Sequence, residues 1–117
     1  MRADFTGKTA IVTGAAHGFG RAITIALAKR GVHVWACDVL EEELHETHQR
    51  AIAAGGTCGA RVVDVRDKHA VETFVADASA GAGYVDILVN NAGGVLGQVG
   101  RPLEAVTPEQ WQDIFAV

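Results

Sequence analysis

The chain has 117 residues, enough for one ordinary domain and too few for two. With 49% hydrophobic and 21% charged residues and only two prolines, it reads as globular, which excludes a disordered chain. A formal charge of −4 without any basic cluster excludes electrostatic binding to nucleic acid or an anionic membrane surface.

The opening stretch MRADFTGKTAIVTG lacks the extended apolar region of a signal peptide, and no apolar run approaches membrane-spanning length. Cys37 and Cys58 lie in separate apolar contexts without a CxxC, which predicts two buried thiols in a reducing, cytoplasmic setting.

Taken in chain order, the first strand is expected at 9–13 (TAIVT). A helix follows over 21–30, with Ile23, Ala26 and Leu27 as its apolar stripe, Lys29 and Arg30 at its negative end and Gly31 as its stop. The second strand is 33–38 (HVWACD). The second helix, 41–54, opens on three glutamates, carries Leu44, His48, Ala51 and Ile52 on one face, and closes at Gly55–Gly56. A third strand is expected at 60–65 (ARVVDV). The third helix, 67–80, is capped by Asp67 and buries Val71, Phe74, Val75 and Ala78. The fourth strand is 86–90 (DILVN). In the final TPEQWQDIFAV, Thr107 is a cap, Pro108 suits the first turn, and Gln110 sits where a capping box wants it. Trp111, Ile114 and Phe115 then share one face, so a further helix is expected to begin there and to be cut at Val117.

The strands are nearly continuous in hydrophobicity, as strands buried on both faces are. Alternation of strand and helix with right-handed crossovers predicts an α/β fold, a Rossmann-type doubly wound parallel sheet. One domain, 1–117, is expected, with strand order 3-2-1-4 and a ligand crevice where the first strand meets the fourth.

TGAAHGFG joins the first strand to the first helix, with glycines at 14, 18 and 20. A loop that turns tightly, lays its backbone against a diphosphate and lets the helix approach the sheet needs residues without a Cβ. The helix start then offers unpaired N–H groups and a positive dipole end to phosphate. Asp38 ends the second strand, where a carboxylate accepts hydrogen bonds from both adenosine ribose hydroxyls and repels a 2′-phosphate, which selects NAD over NADP. No Arg or Lys follows it to hold such a phosphate, and only a protonated His17 would favour one. A competing reading makes Asp38-Val-Leu-Glu41 a capping box for the second helix.

Thr13–Gly20 as T-G-x-x-x-G-x-G, Asp38, Asp64–Val65 after the third strand, and NNAG at 90–93 together resemble the short-chain dehydrogenases/reductases, over nearly the whole chain from Lys8 to Val117. The resemblance implies that Gly14, His17, Gly18 and Phe19, with Gly20 in the same motif, line the diphosphate and adenosine ribose. It further implies that Asp64 and Val65 contact adenine, that Asn91, Ala92 and Gly93 pass beside the cofactor's ribose, and that Asn90 ties the fourth strand to its neighbours. Members of the family carry a catalytic Ser, then Tyr and Lys four residues apart, in a second half with no counterpart here. By the resemblance these three are expected beyond Val117, and a helical Asn that assists the proton relay at or just past it. The only tyrosine, Tyr84, is followed four residues on by Leu88.

The reading is therefore the NAD-binding half of an oxidoreductase that moves hydride between nicotinamide and a small-molecule alcohol or carbonyl. It is cut inside a helix, carries no catalytic residue of its own and is inactive alone. With the fourth strand's outer edge open, the chain is expected to self-associate as a homo-oligomer, to be poorly soluble, or to leave its last ten residues mobile. Two rivals remain at this level. An S-adenosylmethionine-dependent methyltransferase also places glycines after its first strand, but gives no reason for NNAG. A non-catalytic nucleotide-binding module would complete its sheet with a partner. HETH at 45–48 has its histidines three apart rather than four and reads as a solvated helix face rather than a zinc site. His33 and His69 are isolated, and the glycine-rich run 93–100 is expected to be a mobile loop over the crevice.

Overall fold

A computed structural model describes residues 5–80 and 83–91. Strand and helix alternate as β1 (Thr9–Thr13), α1 (Gly18–Lys29), β2 (His33–Asp38), α2 (Glu41–Ala53), β3 (Thr57–Val62), α3 (Lys68–Ser79) and β4 (Ile87–Asn90). All pairings are parallel and the order is β3-β2-β1-β4, the expected Rossmann-type arrangement. The helix start expected from Thr107 through Trp111, Ile114 and Phe115 to Val117, and the loop 93–100, lie outside the described residues.

β1 is buried at all five positions, because both faces of the central strand are covered. Its side chains alternate between two cores. Ala10 and Val12 pack with Val34, Ala36, Leu44 and Ala51 on the face that carries α1 and α2. Ile11 packs with Cys37, Val71, Phe74 and Ala78 on the α3 face. Both cysteines are free and buried. Burial pushes the Cys37 thiol up to about 12, with the neighbouring Asp38 charge adding to it, and burial pushes Cys58 up to about 11.

Several boundaries differ from expectation. α1 begins at Gly18 rather than Arg21, so two of the three glycines belong to its first turn. A left-handed backbone at Gly18 and close packing at Gly20, not helix propensity, place them there. β3 runs over Thr57–Val62 rather than 60–65, because pairing with β2 sets the register from His33↔Thr57 to Asp38↔Val62. Val63 and Val65 instead pack with the α3 cluster. Asp86 precedes β4, and its side chain accepts from the Thr9 backbone N–H at 2.8 Å. On α2 the buried residues are Leu44, Thr47 and Ala51, while Ile52 is exposed. Two terminators hold as expected. Asp67 caps α3 by accepting from Ala70 N, and Gly31, at φ +82°, ends α1 with its N–H donating to Ala28 O.

Among the described residues no helix is long and apolar enough to cross a membrane.

Candidate cofactor-binding site

The site is built at the carboxyl end of the sheet, from the turns that leave β1, β2, β3 and β4. After Thr13 the chain turns at Gly14 (φ +63°) and again at Gly18 (φ +58°), both in the left-handed region that favours glycine. Gly20 is required for a different reason. A Cβ there would lie 2.0 Å from Gly14 O and 2.7 Å from Gly14 C, so α1 rests directly on the turn that leaves β1. A Cβ on Gly18 would meet nothing within 4 Å, so open space stands over the loop. His17 takes the N-cap position of α1 but gives no side-chain hydrogen bond to it. The helix therefore turns uncapped N–H groups and its positive end toward that space. Phe19 is 79% exposed at the same place.

Asp38 joins this loop to β2. Its Oδ2 accepts from Ala16 N at 3.1 Å, and its Oδ1 accepts from Val39 N at 2.7 Å and Leu40 N at 3.1 Å. The capping-box reading is thereby corrected: the N-cap of α2 is Leu40, without a side-chain cap. Engaged by the β1–α1 turn and by the residues just after it, the carboxylate does not serve the helix. Ala15 N also donates to Cys37 O at 3.1 Å.

On the other side of β1, Thr13 Oγ1 donates to Asn90 Oδ1 at 2.7 Å and accepts from Asn91 N at 3.0 Å. Asn91 Nδ2 reaches Gly14 O at 3.4 Å. The β1 and β4 exits are thus stitched together, and the crevice lies where the strand order reverses. Ala92 and Gly93 lie outside the described residues, as does Val117, past which the catalytic Ser, Tyr and Lys are expected. Asp64 and Val65 follow β3 at the same end, and Val63 N donates to Asp38 O at 3.1 Å. Asp64 turns to Arg66, which holds it through Nη2 at 2.9 Å and Nε at 3.1 Å. Those side-chain bonds, with the Arg66 N–H, hold its carboxyl down at about 2. Val65 is half-buried.

Structure therefore brings Gly14, His17, Gly18, Phe19, Gly20, Asp38 and Asn91 together, with Asp64 and Val65 nearby on the next turn. Sequence reasoning missed Val39 and Leu40, which are 57% and 42% exposed beside Asp38 and offer an apolar wall. Their signal was an apolar pair placed after the acidic end of a strand. It also missed Arg66, whose only signal is its place two residues after Asp64. Tyr84 is exposed and precedes β4, at the end of the sheet away from the crevice. A 660 Å³ hollow lined by Thr9, His33, Trp35, Thr57 and Asp77 also opens at that far end and shares no residue with the crevice. Among the described residues no group of three or more His, Cys, Asp or Glu is placed to hold a metal ion, and the HETH histidines merely stack on each other, 6.5 Å between ring centres.

Residues 8–117 match the family model for short chain dehydrogenase. The chain belongs to that family. It is 41% identical over 115 residues to the probable oxidoreductase EphD of Mycobacterium tuberculosis, covering 97% of this chain and 19% of that protein. It is 39% identical over 110 residues to the 1-deoxy-11-beta-hydroxypentalenate dehydrogenase of Streptomyces arenae, covering 94% and 39%. The chain thus spans between a fifth and two-fifths of these relatives. A metagenomic short-chain oxidoreductase solved with NADP matches at TM-score 0.73 and 34% identity, over 98% of this chain and 50% of that one. Carveol dehydrogenase from Mycobacterium avium, solved with NAD, matches at TM-score 0.72 and 31% identity, over 97% and 44%. One of these neighbours is thus solved with NADP and the other with NAD, and neither the methyltransferase nor the non-catalytic reading is favoured.

Proposed function

We propose that this chain binds the adenosine and diphosphate portion of NAD, in preference to NADP, as part of an oxidoreductase acting between nicotinamide and an alcohol or carbonyl carbon. Solved relatives carry either dinucleotide, so the choice rests on Asp38. Its carboxylate is fixed at the end of β2 by Ala16 N, and the residues after it, Val39 and Leu40, carry no charge that would hold a 2′-phosphate. The open space over Gly18 and the uncapped start of α1 fit a diphosphate there. Phe19, Val39 and Leu40 supply apolar surface for the adenine end. Bound, the dinucleotide supplies the hydride chemistry, while this chain's residues bind and orient it. Tyr84 stands away from the crevice, which supports the reading that the chain to Val117 holds the cofactor without turnover. The unpaired outer edge of β4 among the described residues supports self-association, readable by light scattering.

Titration of the wild type and Asp38→Ala with NAD and with NADP tests the cofactor choice. NAD binding should weaken by about 1–3 kcal/mol as the ribose hydroxyls lose a charged acceptor, and the gap to NADP should narrow. Unchanged NAD affinity would refute the assignment.

A further inference from the structure

Arg21 is the fourth residue of α1, and a cation in the first turn opposes the helix's positive end. Its place is explained by what it holds. Nε donates to Thr47 Oγ1 at 2.8 Å, and Nη2 donates to the carbonyl oxygens of Ala16 at 2.5 Å and Glu43 at 2.9 Å. Glu46 Oε2 lies 3.3 Å from the same nitrogen and offsets the charge. Thr47 on α2 is fully buried, and its hydroxyl, accepting from Arg21, donates its own O–H to Ala15 O at 2.8 Å.

The carbonyls of Ala15 and Ala16 are thus held from α2 and from Arg21. Their N–H groups are held by Cys37 O and Asp38 Oδ2. Ala15 and Ala16, two of the four residues of the β1–α1 turn, are each bonded through N–H and through carbonyl, and neither can rotate a peptide plane without losing a hydrogen bond.

We propose that Arg21 and Thr47 are positioning residues for the dinucleotide, a clamp through which α2 fixes the buried Ala15–Ala16 segment and so sets where Gly18 and the start of α1 stand. This rests on the cofactor reading above. Released from the clamp, the turn can shift and carry Gly18 and the N–H groups of the helix start away from the anion.

The test is the dissociation constant of ADP-ribose, measured by calorimetry on the full chain well below its melting temperature. Thr47→Val keeps the shape and removes the hydroxyl; Arg21→Lys keeps the charge and removes the fork. Each should raise the constant about tenfold, the equivalent of one or two lost hydrogen bonds. Thr47→Ser, which keeps the hydroxyl, should stay within about twofold of wild type. A merely structural role would lower the melting temperature in all three without this pattern in affinity. Wild-type affinity in Thr47→Val and Arg21→Lys overturns the clamp, as does a Thr47→Ser variant as weak as Thr47→Val. If Thr47→Val does not fold, Arg21→Lys and Thr47→Ser decide by the same comparison. A wild-type chain that binds neither ADP-ribose nor NAD refutes the cofactor reading itself, a result distinct from either.

Discussion

Replacing Gly20 by alanine sets two physical effects of opposite sign against each other. Helix propensity alone favours alanine by about 1 kcal/mol at a position in the first turn of α1. Packing opposes it. The new Cβ would stand 2.0 Å from Gly14 O and 3.0 Å from Ala15 Cα, both backbone atoms that no rotamer change can move. Relaxed carbon–oxygen contacts begin near about 3.3 Å, so the helix start and the turn must separate by roughly 1.3 Å. Overpacking of this kind costs about 1–3 kcal/mol or more, and with backbone on both sides the upper end applies. Net destabilisation should therefore be about 2 kcal/mol, with cofactor affinity lost as the turn is displaced. Gly18→Ala is the control for stability. It meets nothing within 4 Å and carries only the left-handed backbone penalty of about 1–2 kcal/mol, while its Cβ enters the space proposed for the diphosphate and so is no control for affinity. Urea unfolding of both variants, followed by titration with NAD, reads both effects. A Gly20→Ala chain as stable as wild type or more so, with unchanged affinity, would show that α1 does not rest on Gly14 and would sink the packing account.

Other consequences follow from the two cores and the exposed turn. Phe74 is 1% exposed and meets Trp35 edge to face at 6.1 Å, so Phe74→Ala should cost about 3–5 kcal/mol in chemical unfolding, and a loss below about 1 kcal/mol would contradict its central place. Asp64, held at about 2 against an ordinary value of 3.8, favours the folded state above pH 3.8, and that contribution disappears as pH falls toward 2. Carboxyl NMR titration should show the Asp64 midpoint rising toward 3.8 in Arg66→Met; an unmoved midpoint removes Arg66 as the cause. The two buried thiols, raised to about 12 and about 11, should resist a thiol reagent at about pH 8 until the chain is unfolded. Rapid stoichiometric labelling of the native chain would contradict their burial.

Much of this was already written in the sequence. Continuous apolar runs at TAIVT and HVWACD mark strands buried on both faces, and Gly31 and Asp67 mark helix ends, because burial on two faces and backbone termination leave strong local signatures. The glycines at 14, 18 and 20 marked the tight turn between β1 and α1, since two of them take positive φ and the third leaves no room for a Cβ. Only the tertiary structure decided the rest. Local pattern fits Asp38 as a cap of α2 as well as a ribose acceptor; only the folded chain, with Leu40 at the N-cap and Ala16 N, 22 residues away, on the carboxylate, removes the cap. β3 starts at Thr57 through pairing with β2, against the weak strand propensity of a stretch containing Gly59. Thr47 interrupts the apolar stripe of α2 as a polar residue. It is buried because Arg21 and Ala15, distant in sequence, satisfy its hydroxyl at once, and such partners exist only after the chain has folded.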